Sequence, residues 1–321
     1  MGKEVVLEAE SIKKYFPVKG SFGRVVNQVK AVDDVSLKLY RGETLGLVGE
    51  TGCGKSTLGR TIMKLLEPTE GTIHMQAKDI TNYSEREMRP VRSYIQMVFQ
   101  DPYSSLNPRK KVGQILEEVL TIQKIKCDKQ KTVLEILEKV GLRKEHYYRF
   151  PHEFSGGQRQ RIGLARALIL NPGIVVCDEP VSALDVSIQS QIINLLLDLQ
   201  EERELSYLFI AHDMSVVKFI SDRIGVMYLG HLVEEAGTDE LFTNPLHPYA
   251  QALLSAVPEV NPHVSKKRIV LQGDVPSPLN PPSGCVFHER CPYAKPVCSQ
   301  EKPVRIEAAK GHNVSCHLYE K

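Results

Sequence analysis

The stretch GETGCGKS at residues 49–56 constrains this chain more than any other, because it matches G-x-x-x-x-G-K-[ST]. A loop of that kind needs a strand before it and a helix after it. Here the apolar run TLGLVG (44–49) leads in, and a helical pattern opens at Thr57. Gly49, Gly52 and Gly54 let the backbone turn tightly and aim its N–H groups inward. The following helix adds the positive end of its dipole. Glu50, Thr51 and Cys53 complete the loop. Lys55 can reach β- and γ-phosphates, and the Ser56 hydroxyl can join a Mg2+ shell with Thr57 beside it. The expected ligands are ATP and Mg2+.

Further short apolar runs follow the first: YIQMVFQ (94–100), IVVCD (174–178), YLFIAH (207–212) and IGVMYLG (224–230). Runs of this kind suit strands buried on both faces of a sheet. Helical patterns lie between them. Ile188, Ile192, Leu195, Leu196 and Leu199 fall on one helix face after Asp185. The alternation predicts a largely parallel α/β sheet covered on both sides. From about 101 to 166 charged residues alternate with aliphatic ones, which predicts a mostly helical insert. Past about 236 the chain turns proline-rich, and one short helix is expected near HPYAQALLSAV (247–257).

Asp178 ends the IVVCDE strand, where it can hold Mg2+ directly or through water, and Glu179 follows it. A carboxylate beside the γ-phosphate can orient or deprotonate an attacking water. Gln100 and His212 also end predicted strands, and in a parallel sheet such ends converge on the ligand crevice. Gln100 is placed at the Mg2+ or the water, and His212 at the γ-phosphate.

A second glycine turn, Ser155-Gly156-Gly157-Gln158, opens another helix. One nucleotide cannot easily use both turns. The economical reading is that the second grips the γ-phosphate of a nucleotide held by a different chain, with Ser155 as hydroxyl and helix cap and the two glycines as bare N–H groups. ATP would then join two chains head to tail, and hydrolysis would weaken the joint.

GETGCGKS, Gln100, FSGGQ, IVVCDE, SALD and His212 stand in the order of the ATP-binding-cassette ATPases, and the chain resembles that family over roughly residues 5–235. The resemblance implies a P-loop NTPase (RecA-like) α/β core over 1–236 with a mostly helical subdomain, followed by a small irregular cysteine-rich extension over 237–321. It implies that Ser182 to Asp185 form a loop facing the dimer interface, and that Phe16 stacks on adenine, with Tyr15 as runner-up. The family usually has Leu where this chain has Phe154, a position that packs rather than touching phosphate. Every catalytic position is filled.

QDPYSSLNPR (100–109), NPLHPYAQALLSAVP (244–258) and CVFHERCPYA (285–294) resemble the ATPase subunits of oligopeptide and dipeptide importers. In those importers two ATPase subunits sit at the cytoplasmic face beneath two membrane permease subunits, fed by an extracytoplasmic binding protein. By the same resemblance the helical insert and the Gln100 loop receive the permeases' coupling helices. Closely related systems carry nickel or other small solutes.

Of seven cysteines, Cys285, Cys291, Cys298 and Cys316 crowd the tail as C-x5-C-x6-C-x17-C. The tight C-x2-4-C pair of structural zinc sites is absent, and so are ferredoxin spacings. Four thiolates still suit a [4Fe–4S] cluster, to which the family resemblance also points; zinc and free thiols are the alternatives. Composition narrows the partners. A net charge of +2 lacks the basic excess of a nucleic-acid binder. No apolar run approaches a membrane span, the longest (162–177) being broken by Arg166 and Asn171-Pro172. The N-terminus MGKEVVLEAES has no signal-peptide core, so a cytosolic, peripheral location is expected. A soluble cassette that remodels ribosomes or DNA is the rival reading, but the fused second cassette or long coiled coil usual there is missing. A small-molecule kinase would have no use for FSGGQ or SALD.

Overall fold

The computed structural model describes residues 3–20, 23–101, 105–257 and 268–320. Residues 102–104 of QDPYSSLNPR and residue 258 of the NPLHPY stretch lie outside them. The chain divides into two compact units, one of Met1–Val6, Leu39–Glu43 and Asn82–Ile210, the other of Leu7–Lys38, Thr44–Thr81 and Ala211–Lys321.

The first unit holds three parallel strands, β6 (Ile95–Val98), β7 (Ile174–Asp178) and β8 (Ser206–Ile210), with β7 in the middle. All five residues of β7 and of β8 are buried, as expected of apolar runs covered on both faces. Three helices of the insert, α3 (Val112–Ile122), α4 (Lys129–Lys139) and α5 (Gly156–Leu168), pack on one another. Their spacing puts Leu116, Leu120, Val133, Leu137, Ile162 and Leu164 inside, each at 1% exposure or less. Each such side chain contributes about 1.5–3 kcal/mol when fully buried. Helix α6 (Val186–Arg203) buries Ile192, Ile193, Leu196 and Leu199, close to the face the periodicity predicts.

The second unit holds the phosphate loop between β3 (Thr44–Val48) and α1 (Lys55–Ile62). β3 pairs in parallel with β9 (Arg223–Tyr228), but β9 then pairs antiparallel with β10 (His231–Gly237). The strands that the apolar runs predict pair in parallel, and β10 adds an antiparallel edge beside β9 that makes the sheet mixed. A second, antiparallel sheet of order β2–β1–β4–β5 joins β1 (Val5–Lys19), β2 (Val25–Tyr40), β4 (Glu70–Met75) and β5 (Lys78–Asp79). The expectation of an irregular tail needs correction. β11 (Arg305–Ala309) and β12 (His312–Ser315) form a hairpin that adds to β10. Helix α9 (Pro248–Ser255) lies where the short helix is predicted. The hairpin holds because Glu234 of β10 is fully buried and accepts from the amides of Leu246 and His247 at 2.8 and 2.7 Å and pairs with His312 at 2.7 Å. Among the described residues no helix is long and apolar enough to cross a membrane.

Candidate functional site

In the second unit the phosphate loop is seated by backbone that leaves no room for side chains. Gly49 and Gly54 have φ of 152° and 104°, and a Cβ on either would stand 2.1 Å from a carbonyl oxygen, of Met227 and Ala31 respectively. Gly230, in the turn between β9 and β10, donates its N–H to the Cys53 carbonyl at 2.8 Å. Thr51 and Gly52 are exposed at the mouth, with Gly52 at φ 83°. Lys55 is 4% exposed, and its Nζ donates to the carbonyls of Gly49 (2.7 Å) and Glu50 (3.1 Å), with Cys53 Sγ at 3.6 Å. Those bonds satisfy a buried ammonium that would otherwise be costly. They also keep its charge at the concave side of the loop. Ser56 and Thr57 lie in the first turn of α1. This cradle fits a polyphosphate by the two glycines that a Cβ would block and by the buried cation.

The same unit carries His212. Ala211, just before it, donates its N–H to Leu47 of the phosphate-loop strand at 3.1 Å, so His212 leaves the sheet beside that strand's end. Asp213 caps the next helix, α7 (Met214–Ile220), accepting from Ser215 and Val216. Phe16 is 36% exposed, with Lys14 Nζ 5.1 Å from its ring centre. The Tyr15 hydroxyl donates to Asp33 instead; burial, and then that bond, raises the phenol's pKa. Phe16 is the more exposed of the two aromatics.

In the first unit Asp178 is fully buried at the end of β7. Glu179 follows with φ 48°, a left-handed conformation that costs a non-glycine residue energy and is concentrated at functional sites. Its N–H is held by the Ile210 carbonyl at 2.9 Å, and its carboxylate accepts from Gln100 Nε2 at 2.8 Å. The structure thus brings together two residues that the sequence offers separately. Ser182 donates its hydroxyl to the Glu179 carbonyl (3.2 Å), and Gln189 ties the Val181 and Leu184 carbonyls (3.0 Å each), which fixes the turn ahead of Asp185. Asp185 is the N-cap residue of α6.

Ser155 caps α5 as expected. Its amide donates to Gln158 Oε1 at 3.1 Å, and its hydroxyl accepts from the Gln158 amide at 3.4 Å, a reciprocal capping box. Ser155 and Gly156 are exposed, while a Cβ on Gly157 would meet Ile188 Cγ2 at 2.5 Å. Phe154 is 4% exposed and meets His146 edge-on at 5.1 Å, so this position packs.

The four tail cysteines lie near enough that each acts electrostatically on others of the set. Burial raises the Cys285 thiol to about 11 and also raises Cys291 and Cys316. Yet among the described residues no group of three or more His, Cys, Asp or Glu side chains is placed to hold a metal ion. The expected four-cysteine centre at Cys285, Cys291, Cys298 and Cys316, whether [4Fe–4S] or zinc, is therefore not assembled in this structure. Burial favours the neutral thiol at Cys285, Cys291 and Cys316, and Cys298 Sγ accepts from the Lys295 amide at 3.4 Å.

Sequence reasoning missed two residues that touch the phosphate loop. Arg290 pairs with Glu50 through two nitrogens, at 2.8 and 3.2 Å, and the Tyr249 hydroxyl accepts the Glu50 N–H at 2.8 Å. They stand in the importer-like stretches NPLHPYAQALLSAVP and CVFHERCPYA, but 199 and 240 residues separate them from Glu50, and nothing local says that they meet the loop.

Comparison with known proteins adds to this geometry. The ABC transporter family matches residues 32–182, and the family described as oligopeptide/dipeptide transporter, C-terminal region, matches residues 233–298. The oligopeptide transport ATP-binding protein AppF of Bacillus subtilis (strain 168) is 57% identical over 323 residues, 99% of this chain and 98% of that protein. The dipeptide transport ATP-binding protein DppF of Escherichia coli (strain K12) is 51% identical over 316 residues, 98% of this chain and 94% of that protein. Among solved structures, a dimeric post-hydrolysis state of the ATP-binding cassette MJ0796 with ADP and Pi superposes with a TM-score of 0.65 at 28% identity, covering 72% of this chain and 98% of that one.

Proposed function

The chain belongs to the ATP-binding subunits of oligopeptide and dipeptide ABC transporters, and from that premise we propose how its residues divide the work of ATP-driven peptide import. It binds and hydrolyses ATP to power that import. Lys55 exchanges the carbonyls of Gly49 and Glu50 for β- and γ-phosphate oxygens. The amides of the loop, from Thr51 and Gly52 through Gly54 to Thr57, receive the remaining oxygens. Ser56, Asp178 and Gln100 are the residues that would hold Mg2+. When bound, that ion neutralises the charge gathering on the phosphates. Phe16 stacks on adenine.

The observation that carries the catalytic reading is the Gln100–Glu179 contact, made at a residue held at φ 48° directly after a buried aspartate. Glu179 accepts the proton of the attacking water, and Gln100 orients its carboxylate. His212 faces the γ-phosphate. Ser155, Gly156, Gly157 and Gln158, with Asp185, act on the nucleotide of a second ATPase subunit. Support for that comes from the exposure of the helix cap at Ser155 and Gly156. Two permease subunits complete the transporter at the cytoplasmic face, with an extracytoplasmic binding protein delivering the peptide.

Glu179→Gln tests the catalytic reading. Losing one group aimed at the reacting centre costs about a hundred- to a thousandfold in rate. The variant is expected to bind ATP like the parent, hydrolyse it at that reduced rate and accumulate as a closed dimer in size-exclusion chromatography. Hydrolysis at the parental rate removes Glu179 from the role of base.

A [4Fe–4S] cluster on Cys285, Cys291, Cys298 and Cys316 is a separate, finer reading. Its support is the donor set: sulfurs that also accept backbone N–H bonds, from Phe287, Tyr293, Lys295 and Leu318 respectively. Anaerobically purified protein should then absorb broadly near about 400 nm and contain iron. Colourless protein with stoichiometric zinc, or with neither metal, rejects it.

A further inference from the structure

We propose that Arg290 and Tyr249 are positioning residues for ATP: together they hold Glu50, the second residue of the phosphate loop, by its carboxylate and by its amide. The proposal rests on the reading of this loop as the ATP site. Neither residue belongs to a cassette motif, and both come from the part of the chain beyond residue 236.

The loop is held unevenly. Its floor is fixed by backbone, through Gly230 to Cys53 and through the close approach of Gly49 and Gly54 to carbonyls. Its mouth is not. Thr51 and Gly52 are exposed, and a Cβ on Gly52 would meet nothing within 4 Å. Glu50 stands between floor and mouth. Its N–H is directed at the Tyr249 hydroxyl, and its carboxylate lies in the fork of the Arg290 guanidinium. Its carbonyl accepts from the Cys53 amide at 3.2 Å and from Lys55 Nζ at 3.1 Å. A rotation at Glu50 therefore moves an acceptor of the cation that must meet the phosphates.

The clamp is rigid on the far side. Arg290 ends the short turn His288–Arg290 and its side chain is only 8% exposed. The guanidinium lies 5.8 Å from the Tyr228 ring centre, with the Tyr228 hydroxyl at 3.4 Å. Tyr228, Tyr249 and Phe287 pack ring to ring, with centroids 4.7–5.4 Å apart. Tyr249 is itself set by His247, which caps α9 by accepting its amide at 3.1 Å, and His247 hangs from Glu234. A planar fork in a partly desolvated place favours one carboxylate geometry, which a lysine ammonium would not. The tail thus reads as a brace that keeps the mouth of the loop in its phosphate-ready shape.

The test is nucleotide affinity and the division between KM and kcat, measured on the full chain with Mg-ATP. Arg290→Met is expected to weaken ATP binding about five- to fiftyfold, as loss of a charge-assisted bond does, with kcat at saturation changed less than about twofold. Arg290→Lys should recover only part of the loss. Tyr249→Phe should weaken binding about three- to tenfold. Arg290→Met and Glu50→Gln together should cost little more than either alone, because they break one contact. A merely structural role would lower kcat per mole and melting temperature and leave KM alone. If Arg290→Met does not fold, Glu50→Gln and Tyr249→Phe carry the measurement. Folded variants that bind ATP within twofold of the parent, or losses that add independently, overturn the proposal. A folded parent that binds no ATP overturns the ATP reading itself, which is a different result.

Discussion

At Gly54 the chain takes φ 104° just before α1, and the Ala31 carbonyl stands 2.1 Å from where a Cβ would be. Two penalties meet there: left-handed backbone and collision with backbone that cannot swing aside. Gly54→Ala is expected to lower stability by more than about 1–2 kcal/mol, read as a fall in melting temperature, and to abolish ATP binding even where the protein still folds. An alanine that binds ATP normally would show that the loop has another shape when loaded. Residues of this sort are legible in sequence because the loop's chemistry is local: glycine, lysine and serine stand within eight positions of one another. Asp178, Glu179 and Ser155 are legible for the same reason. The bond between Gln100 and Glu179 is not, since 79 residues separate the two. Arg290 stands in an importer-like stretch, but its bond to Glu50 spans 240 residues, and its fork is aimed by a ring cluster that exists only in the folded tail.

Elements carry the next level of the argument. The buried strands β3, β7, β8 and β9 are short apolar runs and were there to be read. β1 and β2 were not, since their 15 and 16 residues mix exposed, half-buried and buried positions and mimic surface chain. The hairpin β11–β12 hides in a proline-rich, charged tail and forms because β10 offers it an edge and a buried carboxylate. That carboxylate gives the element a pH signature. The Glu234 bond to His312, with Glu240 as second acceptor at 3.3 Å, raises the imidazole's pKa. A raised folded-state pKa means that the stabilisation is complete below the unfolded value, about 6.5, and is lost as pH rises through the folded one. Melting temperature should therefore fall over that alkaline window, and His312→Gln should flatten the slope there. An unchanged slope in the variant would assign the dependence to other groups. His247, whose pKa burial depresses to about 3, stays neutral throughout and does not contribute to this window.

At the scale of the whole molecule, the chain carries two glycine turns that open helices, at 49–56 and at 155–158, and the proposal that the second serves another chain's nucleotide has a consequence for mixing. If the Ser155 turn acts on a second subunit's ATP, each catalytic site is built from one chain's Lys55 and the other's Ser155. Let one copy carry Lys55→Ala and the other Ser155→Arg. Each variant alone forms dimers in which both sites are broken. In a mixed dimer both defects fall in the same site, and the other site is whole. Mixing should therefore restore ATPase activity that neither variant has, to roughly a quarter of the parental rate when pairing is random, since half the dimers are mixed and each has one of two sites intact. Where the transporter uses a different second ATPase, the same two substitutions are divided between this chain and that subunit, co-purified from membranes, and one site again survives. Should the turn serve its own chain's nucleotide, every site in every mixture is broken and activity stays at the sum of the separate variants. The outcome turns only on which chain's phosphate the serine meets, so it separates a shared ATP from a private one without any knowledge of the peptide carried.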